Sequence, residues 1–158
     1  MTLKSEDGLT EFELRILNYQ FPEIRVDWDA NWLTLGLRVR TAERSWSTTD
    51  SCLLTWEAHE LLKWLSGLMT AKQQDTGIGF LEPDLAFEAV ASSEHSLDLA
   101  VRLGYGLLPP ERRRSGWEEL VLPIKISFSS LRKGVREFTE EVRRFPMRGA
   151  AAEGHADQ

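Results

Sequence analysis

The stretch from Asp27 to Leu54, DWDANWLTLGLRVRTAERSWSTTDSCLL, decides the fold. From Trp32 to Arg40 its residues alternate. Leu33, Leu35, Leu37 and Val39 point one way, and Trp32, Thr34, Gly36, Arg38 and Arg40 the other. A period of two marks a strand with one face in a core. The polar run Thr41-Ala42-Glu43-Arg44 is short enough to reverse the chain into an antiparallel partner that starts at Ser45. The hairpin runs directly into a helical pattern.

Upstream, Phe12, Leu14 and Ile16 alternate with charged residues and predict a first strand, while residues 1–10 read as polar and frayed. Asn18 to Asn31 reads as a structured loop, broken by Pro22 and carrying Tyr19, Phe21 and Trp28 between acids. Downstream, Thr55 is placed to cap a helix with Glu57 and Glu60 in its first turns, where negative charge suits the dipole. Leu54, Ala58, Leu61, Leu62, Leu65, Leu68 and Met69 form its apolar stripe, with Trp56 and Trp64 off the centre.

Beyond the polar run at residues 71–77, short strands are expected over 77–81 and 85–91, and Leu97 to Leu103 completes a second hairpin. Gly104 to Glu118 is a long loop. Leu120, Leu122, Ile124, Ile126 and Phe128 share one face of a last strand, in which Pro123 favours an edge or a bulge. Ser129 or Ser130 opens a second helix with a seam of Leu131, Val135, Phe138, Val142 and Phe145, stopped by Pro146. The short turns between strands predict an α+β fold, a largely antiparallel sheet of about six to seven strands with two helices packed on it. Residues 1–146 form a single domain in this reading, and 147–158 a disordered tail. No internal repeat of fixed period is seen, although the order of elements has a two-part look.

With 158 residues, 42% hydrophobic and 28% charged, the composition is that of a globular domain able to bury its own core. The net charge of −6 argues against a general nucleic-acid binder and suits a partner with a basic surface. One cysteine permits no internal disulfide, and neither a signal peptide nor a membrane span is legible, so a cytoplasmic protein is expected.

No motif supplies chemistry. His59-Glu60 opens like a zinc-protease motif, but Lys63 stands where the second histidine is required. Cys52 has no base beside it and reads as structural. Neither Gly77-x-Gly79 nor Gly104-x-Gly106 continues into a phosphate-binding fingerprint. The acid pairs Asp27/Asp29, Glu82/Asp84 and Glu118/Glu119 read as solvated loop carboxylates, and the run Arg112–Arg114, with only Trp117 near, as a solvated loop. No catalytic residue, cofactor or metal is therefore assigned. What stands out is a set of tryptophans among acids around the first hairpin: Asp27, Trp28, Asp29, Asn31, Trp32, Trp46 and Asp50. Apolar anchors inside a charged rim are the makings of a recognition patch. The competing reading covers Trp32 with a helix or loop.

The segment FELRILNYQFPEI, then DWDANWLTLGLRV, then Ser45–Leu54 and a helix, resembles the WapI-type immunity protein family. Asp29-Ala30-Asn31-Trp32-Leu33 matches that family's Asp-x-Asn-Trp-Leu run. The resemblance covers the first half and is one of pattern alone after Thr70. It implies a non-enzymatic bacterial protein that binds a cognate toxin domain and blocks it, and it brings no catalytic residues. Two other readings stand beside it. One is a small-molecule-binding or enzymatic α+β domain with a pocket near the first hairpin. The other is a homo-oligomer joined through its tryptophan face.

Overall fold

A computed structural model of the chain describes residues 1–70, 75–113 and 118–149. The strands fall into two sheets rather than the single sheet expected. Strands β1 (Thr2–Lys4), β2 (Glu11–Tyr19), β3 (Trp32–Arg40) and β4 (Ser45–Leu54) pair in sequence order, and helix α1 (Thr55–Leu68) follows. Strands β5 (Gly77–Gly79), β6 (Leu85–Ser92), β7 (Ser96–Gly104) and β8 (Glu119–Ser127) do the same, and helix α2 (Phe128–Arg144) follows. Every pairing is antiparallel. The molecule is thus an α+β domain made of two halves, each a meander closed by a helix. Runs of alternating residues specify strands but not where one sheet ends, and the break at α1 falls where the pattern is helical.

The central hairpin forms with the alternation read from its residues. Leu33, Leu35, Leu37 and Val39 are all buried. Thr41 closes the turn, its N–H donating to the Arg44 carbonyl at 2.8 Å. Pro123 lies opposite Ala100 in β8, an edge strand, where its missing N–H does least harm.

The first residues are not frayed. Thr2, Leu3 and Lys4 pair with Glu13, Phe12 and Glu11, and Met1 and Leu3 are buried. The α-ammonium of Met1 donates to the Leu14 carbonyl at 2.7 Å and lies 3.8 Å from the Glu141 carboxylate. Three residues are too few to show a period, so the strand leaves no mark in the sequence.

The two halves share one core. Phe12 of β2 meets Phe87 of β6 edge to face, with centroids 5.9 Å apart, and Trp64 of α1 tilts against Phe87 at 6.4 Å. Trp64 is therefore a core residue, not a flank of the α1 stripe. Helix α2 crosses back onto β1. A Cβ on its Gly134 would stand 2.9 Å from the Thr2 carbonyl oxygen, so glycine is what allows the approach.

Both helix starts differ from expectation by a residue or more. Leu54 is the N-cap of α1, and the Glu57 carboxylate reaches back to accept its N–H at 2.9 Å. Ser127 caps α2 by accepting the Ser130 N–H at 3.2 Å, and Phe128 is already helical.

A candidate recognition surface at the first turn of helix α1

The loop between β2 and β3 ends in one turn of 3-10 helix, Trp28–Asn31, with Asp27 at its N-cap. This turn parts the residues read as a patch. Asp27, Trp28 and Asp29 stay exposed, while Asn31 is fully buried. Trp28 is 59% exposed, a large value for an indole. Its ring stands edge to face on Trp56, with centroids 4.5 Å apart and planes at 69°. Trp56 lies in the first turn of α1 and is itself nearly buried. The contact fixes one edge of Trp28 and leaves the rest of the ring to solvent.

The same helix turn holds a second exposed apolar side chain. Glu57 Oε1 accepts the Leu81 N–H at 2.7 Å, while its Oε2 caps the helix. Leu81 is exposed, as is Val26 in the loop before Trp28. Asp27, Asp29 and Glu82, next in sequence to these apolar groups, are exposed carboxylates. Trp28 and Leu81 are thus each anchored to the first turn of α1, with exposed acids next to them in sequence. In sequence, Leu81 falls in the strand expected over 77–81 and Glu82 reads as a solvated loop acid; the strand ends at Gly79, which leaves Leu81 outside it and exposed.

The remaining patch residues face elsewhere. Trp32 is half-buried on the solvent side of β3. Trp46 is 8% exposed and donates its indole N–H to the Leu107 carbonyl at 3.1 Å. Asp50 shares the core side of β4, since Leu35 pairs with Asp50 and Val39 with Trp46 in register. Its Oδ1 accepts the Ser51 N–H at 2.8 Å, and its other oxygen abuts Gly106. The loop after β7 folds back on β4 and covers this face, which β4 alone cannot reveal.

Asn31 is a tether. Its Oδ1 accepts the Thr55 hydroxyl at 2.8 Å and the Arg148 N–H at 2.9 Å, and its Nδ2 donates to the Arg148 carbonyl at 3.0 Å. The Arg148 guanidinium lies 3.2 Å over the Tyr19 ring and donates to the carbonyls of Pro22 at 3.3 Å and Ile24 at 3.1 Å. Met147, Arg148 and Gly149, placed in the tail on sequence grounds, are thus docked against the loop; residues 150–158 lie outside the described residues.

Chemistry elsewhere is sparse. Cys52 is buried, and burial followed by the nearby carboxylates of Asp50 and Asp84 pushes its thiol far above the ordinary range. The thiolate a nucleophile requires is thereby disfavoured. Burial, then Asp50 and Glu82, raises Asp84 to about 6. His59 Nδ1 sits 2.9 Å from the Thr55 carbonyl within its own helix, and His95 is exposed. Arg112 pairs with Glu118 at 2.9 Å, and Arg113 donates to the Leu108 carbonyl at 2.8 Å. Arg114 and Trp117 lie outside the described residues. Among the described residues no group of three or more histidine, cysteine or acidic side chains could hold a metal ion. No helix among them is long and apolar enough to cross a membrane.

Fold and surface together define a small antiparallel α+β domain that displays a tethered, acidic, tryptophan-bearing loop. The chain belongs to the immunity protein WapI-like family, whose sequence model matches residues 2–146. The match extends well beyond the first half, where the resemblance was legible in the residues. No curated protein and no solved structure matches the chain.

Proposed function

We propose that this protein is a non-enzymatic immunity protein, acting in the cytoplasm, that binds and neutralises a cognate bacterial toxin domain through the surface around Trp28. Family membership supports the class of function. The observation that carries the surface is Trp28 itself, exposed yet braced on Trp56. A braced aromatic loses little conformational freedom on docking, which is why tryptophan dominates interface energetics. The flanking Asp27 and Asp29 and a net charge of −6 favour a basic toxin face, since opposite fields speed encounter.

The test is binding of the purified chain to the toxin domain encoded in the neighbouring reading frame, measured by calorimetry and by inhibition of the toxin's activity. Stoichiometric binding that Trp28→Ala weakens by about 30-fold or more supports the reading. Tight binding that Trp28→Ala leaves unchanged places the interface elsewhere. Failure of the wild-type chain to bind or inhibit ends the reading.

A further inference from the structure

A concave surface lies at the other end of the first sheet. Strand β2 is nine residues long, so the turns at its start stand about 30 Å from the Trp28 loop. Here the β1–β2 turn and the β3–β4 turn border the outer face of the second sheet and enclose an open cleft of about 710 Å³. Leu9, Ala42 and Val90 line it together with Ala100, Val121 and Pro123. Leu9, Val90 and Val121 are exposed hydrophobic side chains gathered at one cleft. Scattered apolar residues need no explanation, whereas a concave group of them does.

The cleft is built rather than incidental. Val90 is the extra residue of a β-bulge, because Ala89 pairs with Leu99 and Ala91 with Asp98. A bulge re-aims one side chain, and this one aims Val90 at the cleft. The β1–β2 turn is pinned from three sides. Ser5 N–H donates to the Thr10 carbonyl at 2.9 Å, Glu6 N–H to the Lys125 carbonyl at 2.8 Å, and Leu9 N–H to Asp7 Oδ1 at 2.9 Å. The hydrogen bond from the Ser5 hydroxyl, and after it the one from Leu9 N–H, holds the Asp7 carboxyl below its usual range and keeps it ionised.

Charge selects the occupant. Asp7, Glu43 and Asp98 line the cleft against one cation, Lys125. A second copy of a chain with net charge −6 would bring like charge to an acidic rim. Strand addition is disfavoured as well, since Pro123 has no N–H and Glu6 already takes the Lys125 carbonyl. We infer that this cleft is a second docking site, which takes an extended protein segment alternating aliphatic and cationic side chains. The aliphatic groups enter between Val90 and Val121, and the cations meet Asp7 and Glu43. The site is separate from the Trp28 surface and does not depend on the role assigned to it.

The test uses two synthetic peptides, one alternating lysine with valine and one alternating glutamate with valine, titrated into the full chain and followed by amide chemical shifts. The expected result is a saturable shift at Leu9, Val90, Val121 and Lys125 with the lysine peptide alone. It weakens about tenfold in Val90→Lys and in Val121→Lys, and severalfold in Glu43→Lys. All three positions are exposed, so the rest of each variant's spectrum should match the wild type. An absent or unsaturable shift, an equal response to both peptides, or a response centred on Trp28 overturns the inference. Shifts at the cleft that grow with protein concentration alone also overturn it, in favour of self-association.

Discussion

The side-chain amide of Asn31 meets the main chain of Arg148 at both of its ends, Oδ1 to N–H at 2.9 Å and Nδ2 to carbonyl at 3.0 Å. This is a ladder contact made with a side chain, between residues 117 positions apart in the chain. Asn31→Ala strands the Thr55 hydroxyl and both main-chain groups. A loss of about 2–4 kcal/mol is expected in urea unfolding, since buried groups left without partners carry their desolvation penalty.

Arg148→Ala removes the cation over Tyr19 and the donors to Pro22 and Ile24. Global stability should fall by only about 1–2 kcal/mol. Amide hydrogen exchange in residues 20–31 should rise far more than elsewhere. Uniform exchange across that loop and the β3 core would show that the arginine does not hold it.

Trp28→Ala and Trp46→Ala should part company. The first removes an exposed ring with one edge contact and is expected to alter stability by about 0.5–1.5 kcal/mol. The second leaves a void and an unanswered Leu107 carbonyl, for about 3–5 kcal/mol. Paired denaturation curves decide the matter, and equal losses would contradict the placement of the two rings.

Asp84 gives a dependence on pH whose sign follows from its raised pKa. Folded, it titrates at about 6; unfolded, near the ordinary 3.8. Between these values the folded state binds more protons, so this group's contribution to stability declines as pH rises through the window. Asp84→Asn removes the buried charge and is expected to stabilise the protein at pH 7.5 by about 1–2 kcal/mol. The gain should shrink toward zero near pH 4. A destabilised variant at pH 7.5 would mean that the carboxylate has a favourable partner.

Gly134→Ala places a methyl 2.9 Å from the Thr2 carbonyl, and backbone must move to admit it. Helix propensity favours alanine by about 1 kcal/mol, but overpacking against β1 should outweigh it and leave a net loss of about 1–2 kcal/mol. A more stable variant would show that α2 can slide on β1.

The parts of this fold legible in the sequence are those with a period. The hairpin from Trp32 to Leu54, the strand through Phe12 and Ile16, and the α2 seam from Leu131 to Val142 are each specified by spacing alone. What was not legible depends on contacts far apart in the chain. Leu3 is strand, and Met1 and Leu3 are core, only because Phe12 and α2 lie beside them. Trp46 and Asp50 turn inward because residues 105–107 return to cover β4. Trp28 was visible as an aromatic among acids, but its brace on Trp56 and the company of Leu81 required the helix to be placed. Arg148 gave no signal at all, a lone cation in a stretch of small residues.

The seating of α2 on β1 also bears on how the chain reaches its shape. The first strand can gain its full cover only after the last helix exists, more than 120 residues later in the chain. Contacts of such long span slow folding, because a large loop must close before they form. During synthesis, at roughly 5–20 residues per second, the early meander waits several seconds with Leu3 and Phe12 lacking their final neighbours. A variant that weakens α2 should therefore lower the yield of folded protein in the cell by more than its equilibrium stability implies, with the excess recovered as aggregate.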